Sequence, residues 1–254
     1  MRGSSNKQMK QEEVRQTLTE ALSEQMRTRL SGGIYHRTQV ELTYNSNHME
    51  GSQLTEEQTR LIFDTHTIGP TDVGLNVDDV IETVNHFRCV DLMITHYADE
   101  LGEKLIKEFH YTLKRGTSQS QLSWFAVGDY KRLPNEVGGL ETCQPEHVEE
   151  EMRQLLKAYN SHEKHTLEDI LDFHARIERI HPFQDGNGRV GRLLMFKECL
   201  RSGIVPFIIS DELKHYYYRG LNEWPRVKGY LIDTCLTAQD LYKQRLDYFG
   251  IAYS

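Results

Sequence analysis

The chain has 254 residues, 38 % of them hydrophobic, and a formal net charge of −8. That is enough apolar chain for a substantial core, long for one helical domain and short for two large ones. An acidic balance, with no like-charge run beyond Glu149-Glu150-Glu151, argues against nucleic acid as a partner, and no apolar stretch reaches membrane-spanning length.

Residues 1–8 read as a flexible start or an expression scar and carry no fold information. From Gln11 the pattern is helical to about Leu30, where Ser31-Gly32-Gly33 breaks it. Ser46-Asn47-His48-Met49-Glu50-Gly51, taken alone, is a solvated turn or helix end with Ser46 and Glu50 on one face. Thr55 with Gln58 forms a capping box that starts a helix, and Asp79–Asp99 and Glu103–Lys114 are the next helical spans. Trp124–Gly139 is the one convincing extended region. Within it Val127–Gly139 has turn punctuation at both ends and predicts a partly exposed hairpin, although Pro134 departs from a clean strand.

Thr166 with Asp169 is another capping box, and Leu167, Ile170, Leu171, Ile177 and Ile180 recur at helical spacing, so a helix runs from Leu167 to Ile180. Pro182 disfavours helical geometry at His181, and Asp185-Gly186-Asn187-Gly188 turns the chain. Helical character resumes through Arg189, Leu193, Leu194, Phe196 and Leu200, with Gly203 as C-terminal cap. The loop therefore sits on a helix N-terminus, where free amides and the dipole favour an anion. Such a turn between helices is common. What raises this one above that background is Arg189 and Arg192, two cations on one face of a first turn, unfavourable there without something anionic. Their ordinary alternative is surface solvation or structural ion pairing. Phe183, Val190, Leu193 and Leu194 are core. Zinc is a poor competitor: His174 and His181 lie roughly 10 Å apart along a helix, and His162 and His165 miss the His-Glu-x-x-His spacing. Cys89, Cys143, Cys199 and Cys235 match neither zinc spacing nor a disulfide frame.

The run from His181 to Arg192, His-Pro-Phe-Gln-Asp-Gly-Asn-Gly-Arg-Val-Gly-Arg, resembles the Fic family signature at every defined position. The resemblance implies a mainly α fold, a Fic-type helical bundle with a short β-hairpin flap, and transfer of AMP from ATP to Ser, Thr or Tyr hydroxyls of target proteins and of the chain itself. It makes His181 the general base and Asp185 the ligand of Mg²⁺, or of Mn²⁺ in its place. Gly186, Asn187 and Gly188 become the anion hole, and Arg189 and Arg192 the phosphate ligands. An imidazole is mostly neutral at cytoplasmic pH, and one carboxylate suffices for Mg²⁺ when phosphates supply further oxygens, so residue chemistry agrees with those roles.

Ser46 to Gly51 then resembles the inhibitory motif of the Fic class with an N-terminal inhibitory helix. The resemblance pairs Glu50 with Arg192, taking the charge that the γ-phosphate needs and leaving the wild-type chain a poor transferase. The stretch near Val127–Val137 resembles the flap on which a protein target docks as an added strand. Tyr217 or Tyr218 is the expected adenosine contact, and Trp224-Pro225 stands where a base-contacting asparagine is expected. Residues 9–77 are then an N-terminal helical extension and 78–254 the catalytic domain. The alternatives are removal of AMP, transfer of another phosphate-containing group, or a non-enzymatic nucleotide-binding module. A cytoplasmic compartment with reduced thiols and a homo-oligomer complete the expectations.

Overall fold

The computed structural model of the chain describes residues 16–71 and 74–253, so the expectation for residues 1–8 lies outside the described residues. Among the described residues ten α-helices follow one another: α1 Leu18–Thr28, α2 Ile34–Met49, α3 Glu56–Thr65, α4 Val77–Thr95, α5 Glu103–Lys114, α6 Pro145–Tyr159, α7 Leu167–Ile180, α8 Asn187–Ser202, α9 Lys214–Glu223 and α10 Lys228–Phe249. The described β-structure is one antiparallel hairpin, β1 Glu136–Val137 and β2 Leu140–Glu141, and one isolated bridge between Thr17 and Ala252. The fold is thus the mainly α bundle with a short hairpin that the signature implied.

Local rules set most helix ends. Thr17, Thr55 and Thr166 each close a capping box, satisfying amides that the first turn leaves without acceptors. Gly203 and Gly250 end α8 and α10 in the left-handed conformation that suits glycine. The extended region differs from expectation. Residues 124–135 form turns, and the hairpin is shifted to 136–141 around Gly138-Gly139, both with positive φ. Its two-residue strands are too short to impose alternation on the sequence.

The bundle is organised around α8, in which every residue from Asn187 to Leu200 is buried. It packs against α7, α4, α5 and α2. One side meets a core that includes Met93, Phe109 and Tyr242, and the other meets Trp224, Tyr217 and Leu231. A helix buried all round must pair its charges. Lys197 bonds Glu198 at 2.8 Å and also the Asp99 carbonyl, while Glu198 accepts from Tyr159 and Arg201. Helices α1 and α2 share this core through Leu22, Ile34, Tyr35 and Leu42, so they are packed into the same body as the later helices.

Helix α2 is itself mostly buried, yet polar contacts hold it. Thr38 meets the Tyr242 hydroxyl at 2.7 Å, Gln39 donates to the Phe87 carbonyl at 3.2 Å, Thr43 meets His86 Nδ1 at 2.9 Å, and Asn47 donates to Thr83 at 3.3 Å. Its last turn lies on α8.

Burial lowers the pKa of His86, His110 and His174 to about 3 each. Unfolded histidines titrate near 6.5, so between those values the unfolded chain binds more protons and stability falls as pH falls. Each histidine contributes a loss of about 1.4 kcal/mol per pH unit in that window. Glu178, raised by burial to about 7, binds its proton more tightly when folded and so offsets one of the three. Urea unfolding should therefore shift to lower denaturant between pH 6.5 and 5 by the net of the other two. A midpoint constant over that interval would contradict the buried-neutral state of these rings.

Candidate active site

His181 ends α7 as a left-handed C-cap, φ 51° and ψ 61°, its amide bonded to the Ile177 carbonyl at 2.8 Å. Pro182 explains the break, because its ring disfavours helical geometry at the preceding residue. The His181 Nδ1 lies 3.3 Å from the Glu178 carbonyl. A carbonyl only accepts, so Nδ1 carries the proton and the Nε2 lone pair is left to take another. Burial lowers the pKa of this ring, opposed by the Glu178 carbonyl. The His181 ring is therefore uncharged at neutral pH.

The loop after it is pinned from three sides. Phe183 is buried and stacks on His110 with centroids 4.0 Å apart. The Asn187 side chain clasps the Phe183 backbone, accepting from its amide and donating to its carbonyl, both at 2.8 Å. The clasp fixes the orientation of the Asn187 side chain on the loop. His110 accepts from the Gly128 amide at 2.9 Å, so its Nε2 donates to the Asp185 carbonyl at 3.1 Å. Gly186 caps α8 at φ 84°, close to Leu113 and Lys114. Beyond it the first-turn amides of Asn187, Gly188 and Arg189 have no preceding helical carbonyl, which makes this end a site for anionic oxygen.

Two carboxylates face that end. Arg192 Nη2 donates to Glu50 Oε1 at 2.6 Å and to the Ser46 carbonyl at 3.0 Å, while its Nε donates to the Ser46 hydroxyl at 3.0 Å. A Cβ on Gly188 would overlap the Glu50 carboxylate, so glycine there is what lets Glu50 rest on the helix end. Burial pushes the Glu50 carboxyl up, but Arg192 and then Arg189 outweigh it and hold it below the usual range. Asp185 is held at about 2, with burial overcome by Arg189 and Lys114. Glu178, raised to about 7 by burial, lies behind Gly191 beside His174.

Asp185 is an ionised, part-exposed carboxylate beside the anion-binding helix end, a donor that suits Mg²⁺ when phosphates complete its shell. No group of three His, Cys, Asp or Glu able to hold a metal occurs among the described residues, so the protein alone forms no cage.

The two tyrosines are placed differently. Tyr217 is fully buried, with its hydroxyl 2.5 Å from His174 Nε2, and presents no surface to a nucleotide. Tyr218 is half-buried and donates to the Met49 carbonyl at 3.5 Å, at the end of α2. Both back the Arg192 guanidinium. Trp224 is buried and donates to Asp172 at 2.9 Å.

The flap expectation falls on a segment docked along the active loop. The Lys131 amide donates to the Pro182 carbonyl at 2.8 Å, Asn135 to the Phe183 carbonyl at 3.0 Å, and the Leu133 amide to Gln184 at 3.2 Å. Lys131 Nζ reaches Thr142, Asn135 and the Ile180 carbonyl, tying the hairpin base to the end of α7. Lys131, His110, Lys114 and Glu82 were not singled out from sequence. Glu82 and Lys114 were detectable in principle, since each extends a buried helical stripe: Asn85, Cys89 and Met93 after Glu82 on α4, and Ile106, Phe109 and His110 before Lys114 on α5.

Comparison with known proteins points to the family that the signature resembles. Residues 100–199 match the Fic/DOC family model. The chain is 28 % identical over 183 residues to a protein named protein adenylyltransferase Fic from Nematostella vectensis, covering 71 % of this chain and 42 % of that one. It is 27 % identical over 185 residues to protein adenylyltransferase fic-1 of Caenorhabditis elegans, covering 70 % of this chain and 35 % of that one. The chain thus spans well under half the length of these relatives. A Fic-domain-containing signaling protein of Bacteroides thetaiotaomicron superposes with a TM-score of 0.71 at 25 % identity, covering 91 % of this chain and 95 % of that one. Fic-1 of C. elegans, residues 134–508, superposes at 0.69 with 20 % identity over 88 % of this chain and 66 % of that one, a likeness of fold. The chain carries a Fic domain.

The Asn187 clasp yields a direct test. Asn187→Ala strands the buried amide of Phe183, whose carbonyl keeps its bond from Asn135, and should lower urea stability by about 1–3 kcal/mol. Asn187→Asp keeps the acceptor and should lose about half as much. A loss under about 0.5 kcal/mol for the alanine variant would show that the loop stands without the clasp.

Proposed function

We propose that this chain is an autoinhibited protein adenylyltransferase, moving AMP from ATP to Ser, Thr or Tyr hydroxyls of target proteins and of itself. The observation that carries the reading is His181, a neutral base with a free Nε2, in the loop that leads straight into the amide end of α8. The relatives' names support it as well.

In this reading the ATP phosphates rest on the α8 amides of Asn187 to Arg189, the Gly186 amide being held by Asp185 Oδ1, and Arg192 takes the γ-phosphate. The target hydroxyl attacks the α-phosphorus, its proton passes to His181 Nε2, and the bond from that phosphorus to the bridging oxygen breaks to release pyrophosphate. Asp185 would hold Mg²⁺, or Mn²⁺, which supplies charge neutralisation on the phosphates when bound. Holding the reactants in line and meeting developing charge with fixed donors would provide most of the acceleration. Tyr218, on the open side of its pair, is the residue left for adenosine.

Glu50 is the inhibitory element. Its carboxylate occupies the guanidinium and the helix end that a γ-phosphate would use, so the two compete for one charge. The target would dock along 127–137, where Leu133 and Val137 are exposed apolar side chains. No helix among the described residues is long and apolar enough to cross a membrane; the setting proposed for the chain is the cytoplasm. A second reading, AMP removal, draws on Glu50 Oε2, which makes no hydrogen bond among the described residues and could orient a water.

Intact mass after incubation with ATP and Mg²⁺ tests the main reading. An AMP adduct is expected on Glu50→Gly, little on wild type, and a rate lower by about 10²–10⁴ on Glu50→Gly/His181→Ala. An adduct that forms as fast without His181, or faster with Glu50 than without it, would contradict it.

A further inference from the structure

Beneath the anion end of α8 lies a closed ring of four charges. Lys114 bonds Asp185 Oδ2 at 2.6 Å and also Glu82, and Arg189 bonds Glu82 and approaches Asp185 Oδ2 at 3.5 Å. The four come from separate elements: Glu82 from α4, Lys114 from the last residue of α5, Asp185 from the loop and Arg189 from α8. Lys114 is only 1 % exposed, whereas the Asp185 side chain is 38 % exposed, so the ammonium reaches the site through that carboxylate. The third acceptor position on Asp185 is taken as well, since Oδ1 accepts from the Gly186 amide at 2.7 Å.

Two anions and two cations leave the ring neutral. A divalent ion arriving at Asp185 therefore meets a carboxylate already shared by two cations, the nearer being Lys114. A buried ammonium that lost its only anion would be costly, but Lys114 has a second acceptor in Glu82. From this arrangement we infer that Lys114 is a positioning residue that competes with the divalent cation for Asp185, and that Glu82 is the counter-anion which receives Lys114 when the cation takes the carboxylate. The pair then sets how strongly metal and nucleotide binding reinforce one another. This inference rests on the proposed nucleotide site.

The two ring residues should act in opposite directions. Lys114→Met removes the competing cation, so metal gains more at Asp185. Glu82→Gln throws both cations onto Asp185, so metal gains less. A merely structural role would have both substitutions loosen Asp185 and weaken metal together.

The test is calorimetric titration of α,β-methylene ATP, whose α–β bond cannot be transferred, into full-length protein in the Glu50→Gly background. The readout is the ratio of Kd in EDTA to Kd at saturating Mn²⁺, compared between variants so that metal binding by free nucleotide cancels. Lys114→Met should raise the ratio by about tenfold and Glu82→Gln should lower it by about tenfold, with Lys114→Arg within about threefold of the parent. Lys114→Gln, polar at the same depth, serves if the methionine variant does not fold. Both ratios falling, or neither moving, overturns the inference while leaving nucleotide binding intact. A parent protein that binds no nucleotide overturns the proposed function and this inference with it.

Discussion

Arg192 has one guanidinium, buried in the middle of the bundle, and everything around it is arranged to give that charge a partner. Ser46 takes two of its donors, Glu50 takes the strongest contact, and Tyr217 and Tyr218 back it. A buried cation without an anion is expensive, so Arg192 must hold a carboxylate or something equivalent. A phosphate oxygen is such an equivalent, an anionic acceptor for the same guanidinium donor. This exclusivity links fold to function: the residue that would bind ATP also fastens α2 to α8 when ATP is absent.

The way α2 is held fits a part that gives way. Its buried face is bonded by Thr38, Gln39, Thr43, Ser46 and Asn47, and each net contribution is modest, about 1 kcal/mol, because water replaces the partner when the contact opens. The apolar anchors, Ile34, Tyr35 and Leu42, lie toward the N-terminal part of the helix, with Met49 at its end packed in a different cluster from theirs. A shift of the last turn therefore disturbs little of the main core. Glycine makes the closed position accessible, since any side chain at 188 would meet Glu50.

How much was legible before the structure depended on how local the cause was. The span Leu167–Ile180, its capping box and the break at His181 follow from residues within four positions of one another, and the observed α7 has those ends. The signature loop was legible for the same reason. The hairpin was displaced because its register depends on contacts with the loop at 182–184, more than forty residues away. Tyr217 reads in sequence as one of three equivalent tyrosines, and only the position of His174 on another helix decides that it faces inward. The charge ring was out of reach as a unit. Glu82 and Lys114 look like ordinary helix-surface charges until four elements bring them beside Asp185, although each prolongs a buried stripe.

The claim that Glu50 and phosphate compete for the Arg192 guanidinium can be isolated by a binding cycle. Affinity for α,β-methylene ATP would be measured for wild type, Glu50→Gln, Arg192→Ala and the double variant. Competition predicts that Glu50→Gln tightens binding by about tenfold when Arg192 is present and has no effect when it is absent. Equal tightening in both backgrounds would mean that Glu50 acts through general repulsion of the nucleotide, and the contact with Arg192 would lose its central place.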